Sequence, residues 1–283
     1  MPSDRVSKAF PPYRIEGPNE APTPLVIAVP HAGRHYPPSL DLTRAVPMRV
    51  LEELEDRAAD LLVANAVAEG AVAIIANQAR AWIDLNRGEA DRDTAGAGAS
   101  PRARAGLGLI PQRLGGRPLW RRPPDEAETT ERLAAVHATY HHAIDAALTA
   151  ARERHGFAIL LDCHSMPPLG RSGHPSAHIV MGDRHGASAA APIMRAAIAA
   201  VRGRGITVAL NTPYAGAYTL ERHGRPDSGT HALQIEIDRS LYLEPGLREP
   251  SHGLADARAL VAAIGWAAVG AGGPCSMLAL AAE

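Results

Sequence analysis

Apolar runs in this chain stop abruptly at residues that can bind a metal or move a proton. Ala158-Ile159-Leu160-Leu161 leads directly into Asp162, Cys163, His164 and Ser165. Leu25-Val26-Ile27-Ala28-Val29 ends at Pro30-His31-Ala32-Gly33, and Ala81-Trp82-Ile83 passes into Asp84, Asn86 and Arg87. The segment from His231 to Asp238 alternates, with Leu233, Ile235 and Ile237 on one face and Gln234, Glu236 and Asp238 on the other. A row of polar groups on a strand is costly unless it lines a wet cleft. Two imidazoles and a carboxylate form the donor set of a catalytic zinc that keeps a water position free. A glutamate left off the metal can take a proton from that water and return it to a leaving amine. Arginine donates two parallel hydrogen bonds to a carboxylate, so Arg87 and Arg222 point to an anionic substrate. Together His31, Asp84, Asn86, Arg87, Asp162, His164, Arg222 and Glu236 describe a metal hydrolase for a small carboxylated molecule.

These residues need a scaffold that brings distant strand ends together. Strand-like runs at 25–29, 72–76, 81–87, 158–161, 177–181, 206–210 and 231–238 alternate with helical patterns. Helical periodicity spans Pro47 to about Glu69 and carries Asp56 and Asp60 one turn apart, Asp60 reading as a solvated position. It recurs from Leu133 to Leu148 behind a cap at Asp125 or Thr130, from Ile193 to Val201, and over residues 253–269. This alternation predicts one α/β domain over 1–283, a central, mostly parallel mixed sheet flanked by helices. Ligands in such sheets bind beyond the carboxyl ends of strands. Residues 1–23, with Pro11, Pro12, Pro18 and Pro22, read as an irregular lead-in. Residues 88–124 read as a long loop or lid, 170–175 and 216–224 as loops, and 270–283 as a tail. His137 and His141 lie one helical turn apart, but no Glu follows His137 as in a metalloprotease helix. They are expected to stay off the metal, with His141 at most supporting a ligand from behind.

Composition narrows the function classes. A net charge of −1 supplies no field for nucleic acid or a membrane surface. Aromatic residues make up only 4%, so the core is expected to rest on Leu, Ile, Val and Ala. Cys163 and Cys275 form no disulfide framework, and Cys163 alternates to the core face of its strand. No secretory leader follows Met1, and no uninterrupted apolar run reaches the ~18 residues of a membrane span. A cytoplasmic protein is expected, its oligomeric state left open.

Four segments then resemble the N-formylglutamate amidohydrolases: Pro30-His31-Ala32-Gly33, Asp84-Leu85-Asn86-Arg87, Asp162-Cys163-His164-Ser165, and His231 to Glu236. The Tyr218–Gly224 stretch is also similar, and the likeness runs from about residue 24 to 245. More remotely the chain resembles the zinc carboxypeptidase and aspartoacylase group, which implies that fold. The resemblance implies zinc held by His31 and His164, with another divalent transition metal as an alternative. Arg34 stands where the carboxypeptidase group has a ligating Glu, so the third ligand is sought elsewhere and assigned to Asp56. Glu236 is implied as the general base. Asn86, Arg87 and Arg222 are expected at the substrate, the two arginines on its two carboxylates. Asp84, Asp162, Ser165 and Gln234 are expected to orient the groups around them. The implied reaction is deformylation of N-formyl-L-glutamate. The alternatives are deacylation of another N-acyl amino acid, or a binding protein that keeps the pocket without turnover.

Overall fold

A computed structural model describes residues 10–92, 100–171 and 177–273. Its centre is a seven-stranded sheet built from β1 (Tyr13–Glu16), β2 (Leu25–Val29), β3 (Val72–Ala76), β4 (Ala158–Met166), β5 (Ile179–Gly182), β6 (Val208–Leu210) and β7 (Thr230–Asp238). The spatial order is β1-β3-β2-β4-β7-β5-β6. The four central strands, β3, β2, β4 and β7, are parallel. β1 runs antiparallel to β3 at one edge, and β5 and β6 run against β7 at the other. The continuous apolar sequences of β2 and β3 follow from burial on both faces.

Strand alternation divides each central strand between two cores. Leu25, Ile27, Val29, Ile159, Leu161, Cys163, Ile235 and Ile237 join one core. That core is closed by the helices α2 (Ala191–Arg202) and α4 (Leu254–Gly272). Cys163 is fully buried there, as its strand position implies. α4 is long and apolar enough to match a membrane span by length and composition. Here it packs on the sheet through Leu260, Val261, Ile264 and Ala268. On the other face Val26, Ala28, Ile74, Leu160 and Ala232 meet Tyr140, Ile144 and Leu148 of α1 (Ala138–His155). α1 covers only the N-terminal half of this face. Beyond it the same face turns polar with Asp162, His164, Gln234 and Glu236, and the cavity begins there.

Several expectations are corrected. Residues 47–69 are not one helix. Short helices at Met48–Leu51 and Ala64–Ala68 flank tight turns at Glu52–Leu54 and Ala59–Val63. Ala58 sits between them in left-handed backbone at φ 57°. A non-glycine residue there costs about 1–2 kcal/mol, so surrounding contacts must hold it. Ala58 is buried, and the neighbouring Asp56 N–H donates to the His31 carbonyl at 2.9 Å. Residues 81–87 form turns instead of a strand. Ile83 and Leu85 are apolar because they fill the core under α1. The expected lead-in contains β1, and residues 218–223 form a short helix, α3 (Tyr218–His223), in place of a loop. The 88–124 stretch carries a helix at Pro101–Arg104, capped by Ser100, and a small hairpin pairing Arg113–Leu114 with Arg117–Pro118. Asp125 caps the helix Glu126–Arg132 in a reciprocal capping box with Glu128. Residues 172–176 of the expected 170–175 loop, and Cys275 with the tail from 274, lie outside the described residues.

Candidate metal centre and its cavity

Parallel register brings the polar residues of β4 and β7 side by side: Asp162 is level with Gln234, and His164 with Glu236. His31 follows β2, the other neighbour of β4. The turn after it is tight, since a Cβ on Gly33 would meet the Gln78 carbonyl oxygen at 2.0 Å. The broken 47–69 segment delivers Asp56 between the two imidazoles. His31, Asp56 and His164 are all buried, with one donor atom from each within 4.8 Å of the others.

The hydrogen bonds fix which nitrogens face inward. His31 Nε2–H donates to Asp84 Oδ1 at 2.7 Å, which leaves Nδ1 facing Asp56 Oδ2 at 3.4 Å. That Nδ1 is buried without a hydrogen-bond partner. His164 Nε2–H donates to Asp162 Oδ2 at 3.0 Å, and its Nδ1 lies 2.8 Å from Asp56 Oδ2. Each imidazole is therefore oriented from behind by a carboxylate, the arrangement that fixes tautomer and ring direction in metal-binding histidines. An unpartnered buried nitrogen facing a carboxylate asks for a cation. The donor set fits a divalent metal.

The charges respond to one another. Burial raises the Asp56 carboxyl, but the hydrogen bond from His164 and the nearby His31 ring outweigh it and hold the group well below its usual value. Burial likewise opposes ionisation of Asp84, and Arg80 with His31 brings it well down. Burial alone would lower His164, yet Asp162 and Asp56 raise it well above an ordinary histidine. Glu236 goes the other way: burial, opposed by His164 and reinforced by Asp56, lifts it to about 7.

A cavity of about 330 Å³ opens from this cluster, at the lower end for small-molecule sites. His31, Asp56, Asn86, Arg87, His164, Ser165, Gln234 and Glu236 all line it. Asp84 and Asp162 stand behind the histidines. Asn86 is engaged at both ends, its amide donating to Asp162 Oδ2 at 3.3 Å and its Oδ1 accepting from the Thr219 N–H at 2.9 Å. It is built to orient its neighbours. Arg87 has a buried Nε without a hydrogen bond, 3.9 Å from the carboxylates of Asp84 and Asp91. Arg222 is not brought to the cavity; it donates to the Tyr218 hydroxyl at 3.0 Å and to Asp145 at 3.3 Å.

Sequence reasoning missed three arginines that do line the cavity, Arg80, Arg102 and Arg239. Arg80 donates to Asp84 at 2.8 Å, a pairing legible from their i, i+4 spacing. Arg239 donates to Ser165 Oγ at 3.0 Å, to the Glu55 carbonyl at 2.6 Å and to Asp56 at 3.2 Å. It continues the polar face of β7 by one turn. Arg102 lies 5.5 Å over the Tyr214 ring at the cavity wall, and no local pattern marks it.

The fold and site define an α/β protein with a two-histidine, one-carboxylate cluster at the floor of a small polar cavity. The N-formylglutamate amidohydrolase family model matches residues 23–243, and the chain belongs to that family. It is 30% identical over 230 residues to N-formylglutamate deformylase of Pseudomonas aeruginosa, covering 78% of this chain and 82% of that relative. The deformylase of Pseudomonas putida is also 30% identical, over 243 residues. The crystal structure of N-formylglutamate amidohydrolase from Ralstonia eutropha superposes with a TM-score of 0.82 at 29% identity, covering 93% of this chain and 98% of that one. A gene product of Agrobacterium tumefaciens shares the fold, with a TM-score of 0.62 at 21% identity.

Proposed function

We propose that this chain is a metal-dependent amidohydrolase that cleaves the formyl amide of N-formyl-L-glutamate to formate and glutamate. The observation that carries it is the His31–Asp56–His164 cluster, opening onto a cavity that also holds Glu236 and Arg87. The names of the Pseudomonas relatives state the same reaction. His31, Asp56 and His164 would hold zinc, or another divalent transition metal suited to imidazole and carboxylate. When bound, such a metal supplies Lewis-acid polarisation of the amide carbonyl and a water acidified toward neutrality.

This chain's own groups do the rest. Glu236, pushed up to about 7, is balanced to accept a proton from the attacking water and to deliver it to the departing amine nitrogen. Asp84 and Asp162 keep the two imidazoles in the tautomer that turns Nδ1 inward. Arg87 takes one substrate carboxylate through its guanidinium group. Arg102, across the same cavity, takes the second in the role first expected of Arg222. Formate release by the zinc-loaded protein tests the reading, with N-formylglutamate compared against N-formylaspartate and N-acetylglutamate. N-formylglutamate should be hydrolysed with kcat/KM roughly tenfold or more above either competitor. Equal rates on all three, or no formate, would refute it.

A further inference from the structure

The turn that carries Asn86 and Arg87 is gripped from the side opposite the cavity. His137 Nε2–H donates to the Arg87 carbonyl at 2.8 Å. His141 Nε2–H donates to the Leu85 carbonyl, also at 2.8 Å. Behind His141 the contacts continue: its Nδ1 lies 2.9 Å from His223 Nε2, and His223 Nδ1 lies 2.8 Å from Asp145 Oδ1. His141 and His223 are both buried.

Counting hydrogens along this chain fixes its charge. A carbonyl oxygen stands at one end and a carboxylate at the other, and both only accept. Three hydrogen bonds therefore need three N–H groups among four ring nitrogens. Two neutral imidazoles carry two, so the pair must hold one extra proton. His223, against Asp145, is where the charge belongs. Burial, with His137 and His223 beside it, holds His141 well below an ordinary histidine and keeps that ring neutral.

We propose that His223 is a positioning residue: as an imidazolium locked between Asp145 and His141, it holds the Leu85–Arg87 turn so that Arg87 meets the substrate carboxylate. The groups facing the pair are His137 and Tyr140 of the α1 side, Tyr218 and Arg222 of α3, and Asp145 itself. The substrate part of this role rests on the hydrolase reading above; the proton count does not.

The test uses the full chain. Histidine side-chain NMR at pH 7 should find both nitrogens of His223 protonated and His141 protonated at Nε2 alone. A neutral His223 overturns the proposal. Amide hydrogen exchange at Asn86 and Arg87 should speed up at least roughly tenfold in His223→Leu while strand amides of β4 keep their protection. Unchanged exchange at both amides, or loss of protection throughout, overturns it. In the zinc-loaded enzyme His223→Leu should raise KM for N-formylglutamate roughly tenfold with kcat within about threefold, and His223→Gln, which can still donate to His141, should recover part of the loss. Should the Leu variant fail to fold, Asp145→Asn replaces it. It loosens the proton on His223, so KM, which should rise with pH as that proton is lost, must begin to rise at lower pH than in wild type, and an unmoved profile overturns the proposal. A wild-type enzyme that releases no formate defeats the hydrolase reading, while the NMR and exchange results still decide the positioning role.

Discussion

Replacing Glu236 with Gln should have two effects of opposite sign. In the metal-free protein the carboxyl is raised from 4.5 to about 7, burial being the main cause. The folded chain thus holds that proton more tightly than the unfolded chain does, and the ionised carboxylate lowers stability. The penalty is complete above about pH 7 and disappears toward pH 4.5. At 1.36 kcal/mol per pH unit the full rise corresponds to about 3 kcal/mol. Because the carboxylate edge faces water in the cavity, about 1–2 kcal/mol is the better expectation. Glu236→Gln keeps the shape, removes the charge, and should stabilise the chelated protein by that amount at pH 8, with the gain shrinking as pH falls toward 5. Urea melts at several pH values measure it. In the zinc-loaded enzyme the same change should lower kcat by roughly 10²–10⁴ while metal content stays stoichiometric. A variant no more stable than wild type at pH 8 would refute the burial argument. A kcat within tenfold of wild type would place the proton transfer elsewhere.

Further consequences follow from the same geometry. Asp84→Asn keeps a hydrogen bond to His31 but loses the charge behind it, and zinc affinity measured by competition with a chelator should fall roughly 10–100-fold. Zinc must displace the proton that Asp162 and Asp56 stabilise on His164, so affinity should weaken as pH drops from 8 to 6, and calorimetry in buffers of different ionisation heat should register proton release. Arg102→Met should raise KM for N-formylglutamate roughly tenfold yet leave N-formylglutamine unchanged, since only the former offers a second carboxylate. Equal effects on both substrates would remove Arg102 from carboxylate recognition.

The strand-borne part of the site was legible because strand period and burial write themselves into composition. β4 and β7 show apolar runs that turn polar on one face, and their pairing aligns His164 with Glu236. Residues 47–69 misled because Leu51, Leu54, Leu61 and Leu62 keep helical spacing across a break marked by neither Gly nor Pro. The break is set by tertiary contacts at Asp56 and Ala58, which local pattern does not encode. Residues 81–87 misled for a related reason: Ile83 and Leu85 are buried by α1 without joining the sheet. Arg102 and Arg239 reach the cavity through chain reversals that only the folded arrangement supplies, and Arg222 was misassigned because α3 turns it toward Asp145.

Helix α1 shields half of one sheet face and leaves the other half bare, and this divides labour within the molecule. Of the groups that would hold a cation, His164 rides on β4 and His31 follows β2 directly, so their spacing is as stiff as the core itself, while Asp56 comes from the broken 47–69 segment. Arg102, by contrast, is exposed on the short helix Pro101–Arg104 at the cavity wall, whereas Leu109, Ile110 and Leu119 of the same stretch are buried in the cores. A library confined to the exposed positions around Arg102 is therefore the place to seek new acyl amino acid preferences while the core stays intact.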